Sequence, residues 1–205
     1  MDSGTGKSIA ITGAIASGKS RVSRYWASFA GLPLIDVDVV CAELLAEGNA
    51  GWQAIKKEFG TAFLFPDGRI DRKRLRTVLF SDAQVRHKIN DLIHPLAFER
   101  TIAAIEMCPE DTVLVDVPLL FEAGWEDYFD YRILVFADPA QCCRRLIQRD
   151  SIDPEEAGRT ILSQLSLHDK ILRSDHVINN SGSWVSTLLE TIHLARLIAL
   201  EKEKV

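Results

Sequence analysis

The sequence predicts an α/β fold built on a parallel sheet, and three observations carry that prediction. Short apolar runs suited to strands recur at Ile9–Thr12, Leu34–Val37, Thr112–Val117, Tyr131–Ala137 and His176–Ile178, and helical patterns separate most of them. The first run feeds a glycine-bounded turn, Gly13-Ala14-Ile15-Ala16-Ser17-Gly18-Lys19-Ser20. That turn opens an amphipathic helix, because Val22, Tyr25, Trp26 and Phe29 fall at i, i+3, i+4 and i+7. Gly31-Leu32-Pro33 then stops the helix.

The first strand and its turn come first in the chain. Gly-Lys-Ser occurs twice, at Gly6-Lys7-Ser8 and at Gly18-Lys19-Ser20. A phosphate-binding loop needs G-x-x-x-x-G-K-[ST] with a strand before it and a helix after it. The first copy has Met1 where the leading glycine belongs and is followed by a strand-like run, so it reads as a leader. The second copy meets both requirements. Its successive backbone N–H groups and the positive end of the following helix would form an anion cradle. Lys19 would reach β- and γ-phosphates, and the Ser20 hydroxyl would ligate Mg²⁺.

The second strand ends in two acids, Asp36 and Asp38, in Leu34-Ile35-Asp36-Val37-Asp38. As strand positions i and i+2 they would share a face. Asp38 then has two readings of equal weight: a carboxylate that orients and deprotonates an attacking hydroxyl, or an N-cap for the helical stretch Val39–Ala46. Residues 39–110 are mostly helical in pattern, broken by Phe65-Pro66-Asp67-Gly68 and by His94-Pro95. That is too much chain for one crossover, so it is expected to be an inserted helical subdomain.

The third strand ends in Asp116, which suits either a Mg²⁺-holding acid or a cap before Pro118. A second helical insert is expected over about 142–172, with Arg144, Arg145 and Arg149 in QCCRRLIQRD. Arg145 and Arg149, four apart, share a helical face. They would close over a triphosphate as a lid or serve as surface charges. Arg69, Arg72, Lys73, Arg74 and Arg76 read mostly as a solvated face. A terminal helix over 184–204 completes the chain.

Composition narrows the function. With 205 residues and a net charge of −5, the chain lacks the basic excess of a general nucleic-acid binder. No apolar run is long enough to span a bilayer, and the N-terminal residues do not read as a secretory signal, so a cytoplasmic location is expected. Cys41, Cys108, Cys142 and Cys143 have no C-x-x-C or zinc spacing and read as reduced thiols. No N-K-x-D guanine motif is present, which weighs against a nucleotide switch. Another small-molecule kinase on the same scaffold is the nearer rival.

Taken together, these stretches resemble the dephospho-coenzyme A kinases. ITGAIASGKSRV resembles that family's loop and LIDVDVV its paired-acid segment. FGTAFLFPDGRIDRKRL, INDLIHPL, VDVPLLFEAG, QCCRRLIQRD, ILSQLSLHDK and SDHVINNSG follow in the family's order, over roughly residues 9–183. The resemblance implies a three-layer P-loop kinase core at about 9–38, 111–141 and 173–205. It further implies a helical substrate subdomain at about 39–110 and a lid at about 142–172. The implied reaction is ATP-dependent phosphorylation of the ribose 3′-hydroxyl of dephospho-CoA, by a monomer acting with Mg²⁺ and without nucleic-acid or membrane partners. Carried over by position, Asp38 is the base, with Lys19 and Arg145 completing the catalytic set. Gly13, Ala14, Ile15, Ala16, Ser17, Gly18, Lys19, Ser20, Arg21 and Arg149 bind nucleotide, and Ser20 and Asp116 hold the metal. Three loop residues depart from the family's usual G-G-I-G-S-G-K-S-T: Ala14, Ala16 and Arg21. An alanine there is tolerable at negative φ and strained at positive φ.

Overall fold

The computed structural model describes residues 7–202, so residues 1–6 of the first Gly-Lys-Ser region and residues 203–205 lie outside the description. The chain opens with β1 (Lys7–Gly13), α1 (Lys19–Ala30), β2 (Leu34–Asp36) and α2 (Val37–Leu44). It continues through α3 (Ala50–Phe59), α4 (Arg72–Ser81), α5 (Ala83–Glu106), β3 (Thr112–Asp116) and β4 (Tyr131–Phe136). It closes with α6 (Pro139–Asp150), α7 (Pro154–Leu162), α8 (Leu167–Leu172), β5 (His176–Asn179) and α9 (Trp184–Lys202). Lys7 and Ser8 of the first Gly-Lys-Ser copy therefore belong to β1. The described residues form two compact units, one of residues 7–35 with 108–202 and one of residues 36–107.

The first unit is built on the sheet, in the order β2-β3-β1-β4-β5. β1 pairs in parallel with both β3 and β4, and β4 with β5, as the alternating strand and helix patterns lead one to expect. Apolar residues fill both faces of β1. Ile9 and Ile11 join Leu114, Ile133, Val135 and Ile178 in a core closed by Val22 and Trp26 of α1 and by Leu194 and Ile198 of α9. Ala10, on the opposite face of β1, is equally buried, as is Leu134 of β4. A strand buried on both sides needs the near-continuous apolar run seen at Ile9–Ile11.

The second unit has its own core of Ile55, Phe63, Ile70, Leu75, Ile89 and Ile93. Acid side chains start α4 and α5: Asp71 accepts from the Arg74 N–H, and Asp82 from those of Gln84 and Val85. Two sequence expectations are corrected here. β2 stops at Asp36, so Asp38 lies in α2 and the two acids do not sit on one strand face. Asp36 keeps extended backbone and caps the helix, accepting the Asp38 N–H at 3.0 Å. His94-Pro95 does not break its helix either, since α5 runs through Pro95 for 24 residues. The Ile89 and Ile93 side chains buried on one face of α5 outweigh the one main-chain hydrogen bond that a proline lacks.

Candidate active site

The loop from Gly13 to Ser20 connects β1 to α1. Its first turn spans Ala14–Ser17 and is closed by the Ser17 N–H donating to the Ala14 carbonyl at 3.0 Å. Ala16 occupies the third position of that turn with φ 62°, the left-handed value that type II turns demand there. Ala14, by contrast, is not among the residues with positive φ. The methyl group at Ala14 is therefore accommodated, and the one at Ala16 is strained.

Both glycines of the motif are needed sterically. A Cβ on Gly13 would lie 2.5 Å from Ser17 Oγ and 2.7 Å from the Val135 carbonyl oxygen. On Gly18, at φ 91°, it would collide with Asn180 Nδ2. Gly18 is also the N-cap of α1 and brings no side chain to close the first helical turn. The positive end of α1 is thus left open to an anion.

The loop is fastened from its carbonyl side. Arg145 Nη1 donates to the carbonyls of Ala16 (3.4 Å) and Ser17 (3.3 Å), and Arg145 Nη2 to that of Asn180 (3.1 Å). Asn180 Nδ2 donates to the Ser17 carbonyl at 2.7 Å, and Asn180 Oδ1 accepts from Thr187 Oγ1. Turning those carbonyls toward Arg145 and Asn180 leaves the amide side of the turn for a ligand. Ser17 Oγ, turned in against Gly13, is buried without a hydrogen-bond partner, and so is Thr12 Oγ1 at the strand end before it. Buried polar atoms in that state suit a site completed by a polar ligand.

Lys19 and Asp116 form an ion pair with side chains 10% and 1% exposed, and Asp116 Oδ2 accepts from Ser23 Oγ at 2.7 Å. β1 and β3 run side by side with Ile11 opposite Asp116, which is why the loop lysine meets the acid at the end of β3. Among the described residues no group of three or more His, Cys, Asp or Glu is arranged to hold a metal ion. The donors present are the Ser20 hydroxyl and the Asp116 carboxylate, two hard oxygens. Such a pair fits Mg²⁺, which typically takes one or two protein ligands beside phosphate and water oxygens.

The other expected site residues are placed as follows. The Arg21 guanidinium lies over Trp184, its Cζ 3.8 Å from the ring centroid. Arg149 pairs with Asp150 at 2.8 Å on an exposed surface. Asp38 lies in the 36–107 unit, exposed in the first turn of α2. Burial, followed by the charges of Asp38 and Asp36, pushes the Cys41 thiol up to about 11, so it stays protonated at neutral pH. The basic run 69–76 is divided: Arg69 pairs with Asp67, and Arg72 donates to the Ala42 carbonyl.

Sequence reasoning missed three participants. Gln164 Oε1 accepts the Ile15 N–H at 2.9 Å. Glu122 Oε1 accepts the Leu165 N–H at 3.1 Å and pairs with the wholly buried Lys170 at 2.7 Å. Asn180 fixes the loop as described. All three stood inside the family-like stretches, but nothing in their spacing links them to residues 13–20.

The family model described as dephospho-CoA kinase matches residues 7–186. The chain is 36% identical to a dephospho-CoA kinase of Shewanella oneidensis over 185 residues, covering 90% of this chain and 89% of that one. It is 39% identical to the Lactobacillus acidophilus enzyme over 178 residues, 85% and 88% of the two chains. Among solved structures, a Thermus thermophilus protein superposes with a TM-score of 0.79 at 30% identity, over 96% of this chain and 98% of that one. A Campylobacter jejuni dephospho-CoA kinase gives 0.70 at 23%, over 95% and 98%, a likeness of fold.

Proposed function

Because the chain belongs to the dephospho-CoA kinase family, we propose that it transfers the γ-phosphoryl group of ATP to the ribose 3′-hydroxyl of dephospho-CoA, giving ADP and CoA. It is a transferase, and conversion of dephospho-CoA to CoA is its reaction. The observation that carries the reading is the loop 13–20, whose carbonyls are tied back by Arg145 and Asn180 and whose helix end has no side-chain cap.

In this reading the triphosphate lies along the loop 14–20, on the amides other than those of Ile15 and Ser17, which bond to Gln164 and Ala14, with Arg21 beside them. Lys19 exchanges Asp116 for the β- and γ-phosphate oxygens and balances charge as the Pγ–O bond to ADP breaks. Asp38 accepts the proton of the 3′-hydroxyl as its oxygen bonds to phosphorus. Arg145 holds the loop in shape and lends positive charge, and Arg149 exchanges Asp150 for phosphate. Ser20 and Asp116 would hold Mg²⁺, which supplies charge neutralisation on the β- and γ-phosphates when bound. No helix among the described residues is long and apolar enough to cross a membrane. We take the enzyme to act in the cytoplasm as a monomer.

The test is product identification after mixing the purified chain with MgATP and dephospho-CoA. CoA bearing a 3′-phosphate, formed in step with ADP, is expected. Absence of CoA, or phosphate on another hydroxyl, would overturn the assignment.

A further inference from the structure

Resting on the kinase reading above, we infer that Gln164 is a further catalytic residue: its carboxamide holds the phosphate loop through one atom and donates to the transferring phosphoryl group through the other. Ile15 can only donate at its main-chain nitrogen, so the atom it meets at 2.9 Å must be the carboxamide oxygen. The amide nitrogen, with two N–H donors, is therefore left to face away from Ile15, and among the described residues no acceptor engages it. Gln164 is partly buried, at the third residue of a loop shaped for phosphate.

The segment that presents Gln164 is held unusually firmly. The next residue, Leu165, donates its N–H to Glu122 Oε1 at 3.1 Å. The same oxygen meets Lys170 Nζ at 2.7 Å, and that lysine side chain is 0% exposed. Eleven residues of loop and short helix separate α7 from Ser174, and a second ion pair, Arg173 with Glu126, ties down their far end. Burying a lysine is expensive unless it is paired, and apolar residues would fill the same space at lower cost. An ion pair in that position fixes where Gln164 sits, and a fixed donor is what charge development in phosphoryl transfer requires. Gln164 and Arg145 thus engage complementary atoms of the loop: one meets a loop amide, the other the loop carbonyls.

Gln164→Glu separates the two functions of the side chain. The carboxylate keeps an acceptor for the Ile15 N–H but replaces both donors with a negative charge. We expect kcat to fall at least ~100-fold, the loss typical of removing one oxyanion donor, and KM for ATP to rise as well. Lowering the pH should restore part of the loss relative to wild type, because a protonated carboxyl can donate again. Wild-type kcat in Gln164→Glu, or a ratio to wild type that does not move with pH, would overturn the proposal. Gln164→Met provides a second readout by equilibrium binding. It should reduce the preference for a non-hydrolysable ATP analogue over ADP at least fivefold, and an unchanged preference would count equally against it. CoA formation by the wild type tests the kinase reading on its own. The binding preference tests Gln164 even if the acceptor proves to be another molecule.

Discussion

Replacing Ala16 by glycine should make the protein more stable, and replacing Ala14 by glycine should make it less so. The two residues are two apart in one turn, yet only Ala16 has left-handed backbone, at φ 62°. An L-residue with a Cβ loses about 1–2 kcal/mol in that region, and glycine does not. Glycine also loosens the unfolded chain, which offsets about 0.4–1 kcal/mol of the gain. The net for Ala16→Gly is a stabilisation of about 0.8 kcal/mol, or roughly a 2–3 °C rise in Tm for a protein of this size. At Ala14 there is no strain to relieve. Only the unfolded-state term acts, so Tm should fall by roughly 1–4 °C. Paired thermal melts of the nucleotide-free protein, followed by calorimetry or circular dichroism, measure both. Two shifts of the same sign, or a lower Tm for Ala16→Gly, would refute the claim that strain is stored at Ala16. Because the turn must hold its amides in place, the more supple glycine at 16 should also raise KM for ATP modestly while Tm rises.

Three further outcomes follow from the site and its surroundings. Asp38→Asn should lower kcat by at least ~100-fold with little change in ATP affinity, measured by steady-state kinetics beside equilibrium nucleotide binding; a loss confined to binding would count against a proton acceptor. Asp116→Asn removes the buried carboxylate that pairs with Lys19, and should destabilise the nucleotide-free protein by about 3 kcal/mol. Nucleotide should recover part of that Tm loss by supplying phosphate to Lys19, and an equal deficit with and without nucleotide would argue that the acid acts on something else. The Arg132 guanidinium, bonded to both oxygens of Asp175, holds that carboxyl below the usual aspartate range. A lowered folded pKa gives stability that is full above the unfolded value, near 3.8, and is lost as pH falls through the folded value. Wild type should therefore melt above Asp175→Asn at pH 7, and the two curves should converge as the pH falls below the unfolded value; a constant gap would exclude the ion pair as its source.

What could be read from the sequence was whatever is local along it. The loop is spelled in eight consecutive residues, and the strand before it and helix after it are periodic patterns of their own, so their chemistry needs no knowledge of the fold. Asp36 and Asp38 were harder because β2 is only three residues long and a helix begins at once. Two residues of extended chain and one turn of helix look alike in such a short apolar stretch, and capping by Asp36 decides between them. Pro95 misled for a related reason: a local rule gave way to burial of the helix face around it. Gln164, Arg145 and Asn180 meet the loop across 149, 129 and 163 residues. Contacts of that kind arise only when β1 takes its place between β3 and β4, and no pattern along the chain encodes them.

The order of strands has a bearing on how the protein is made. β1 is synthesised early, yet its two neighbours, β3 and β4, emerge only after the whole 36–107 unit has been translated. While the ribosome works through that stretch, the apolar Ile9–Ile11 segment has both edges unpaired, whereas the later unit is contiguous and can close around its own core as it appears. Nascent chains arrested between residues 40 and 110 should accordingly be bound by chaperones through their first strand, and release should coincide with exposure of residues 112–136 at the exit tunnel.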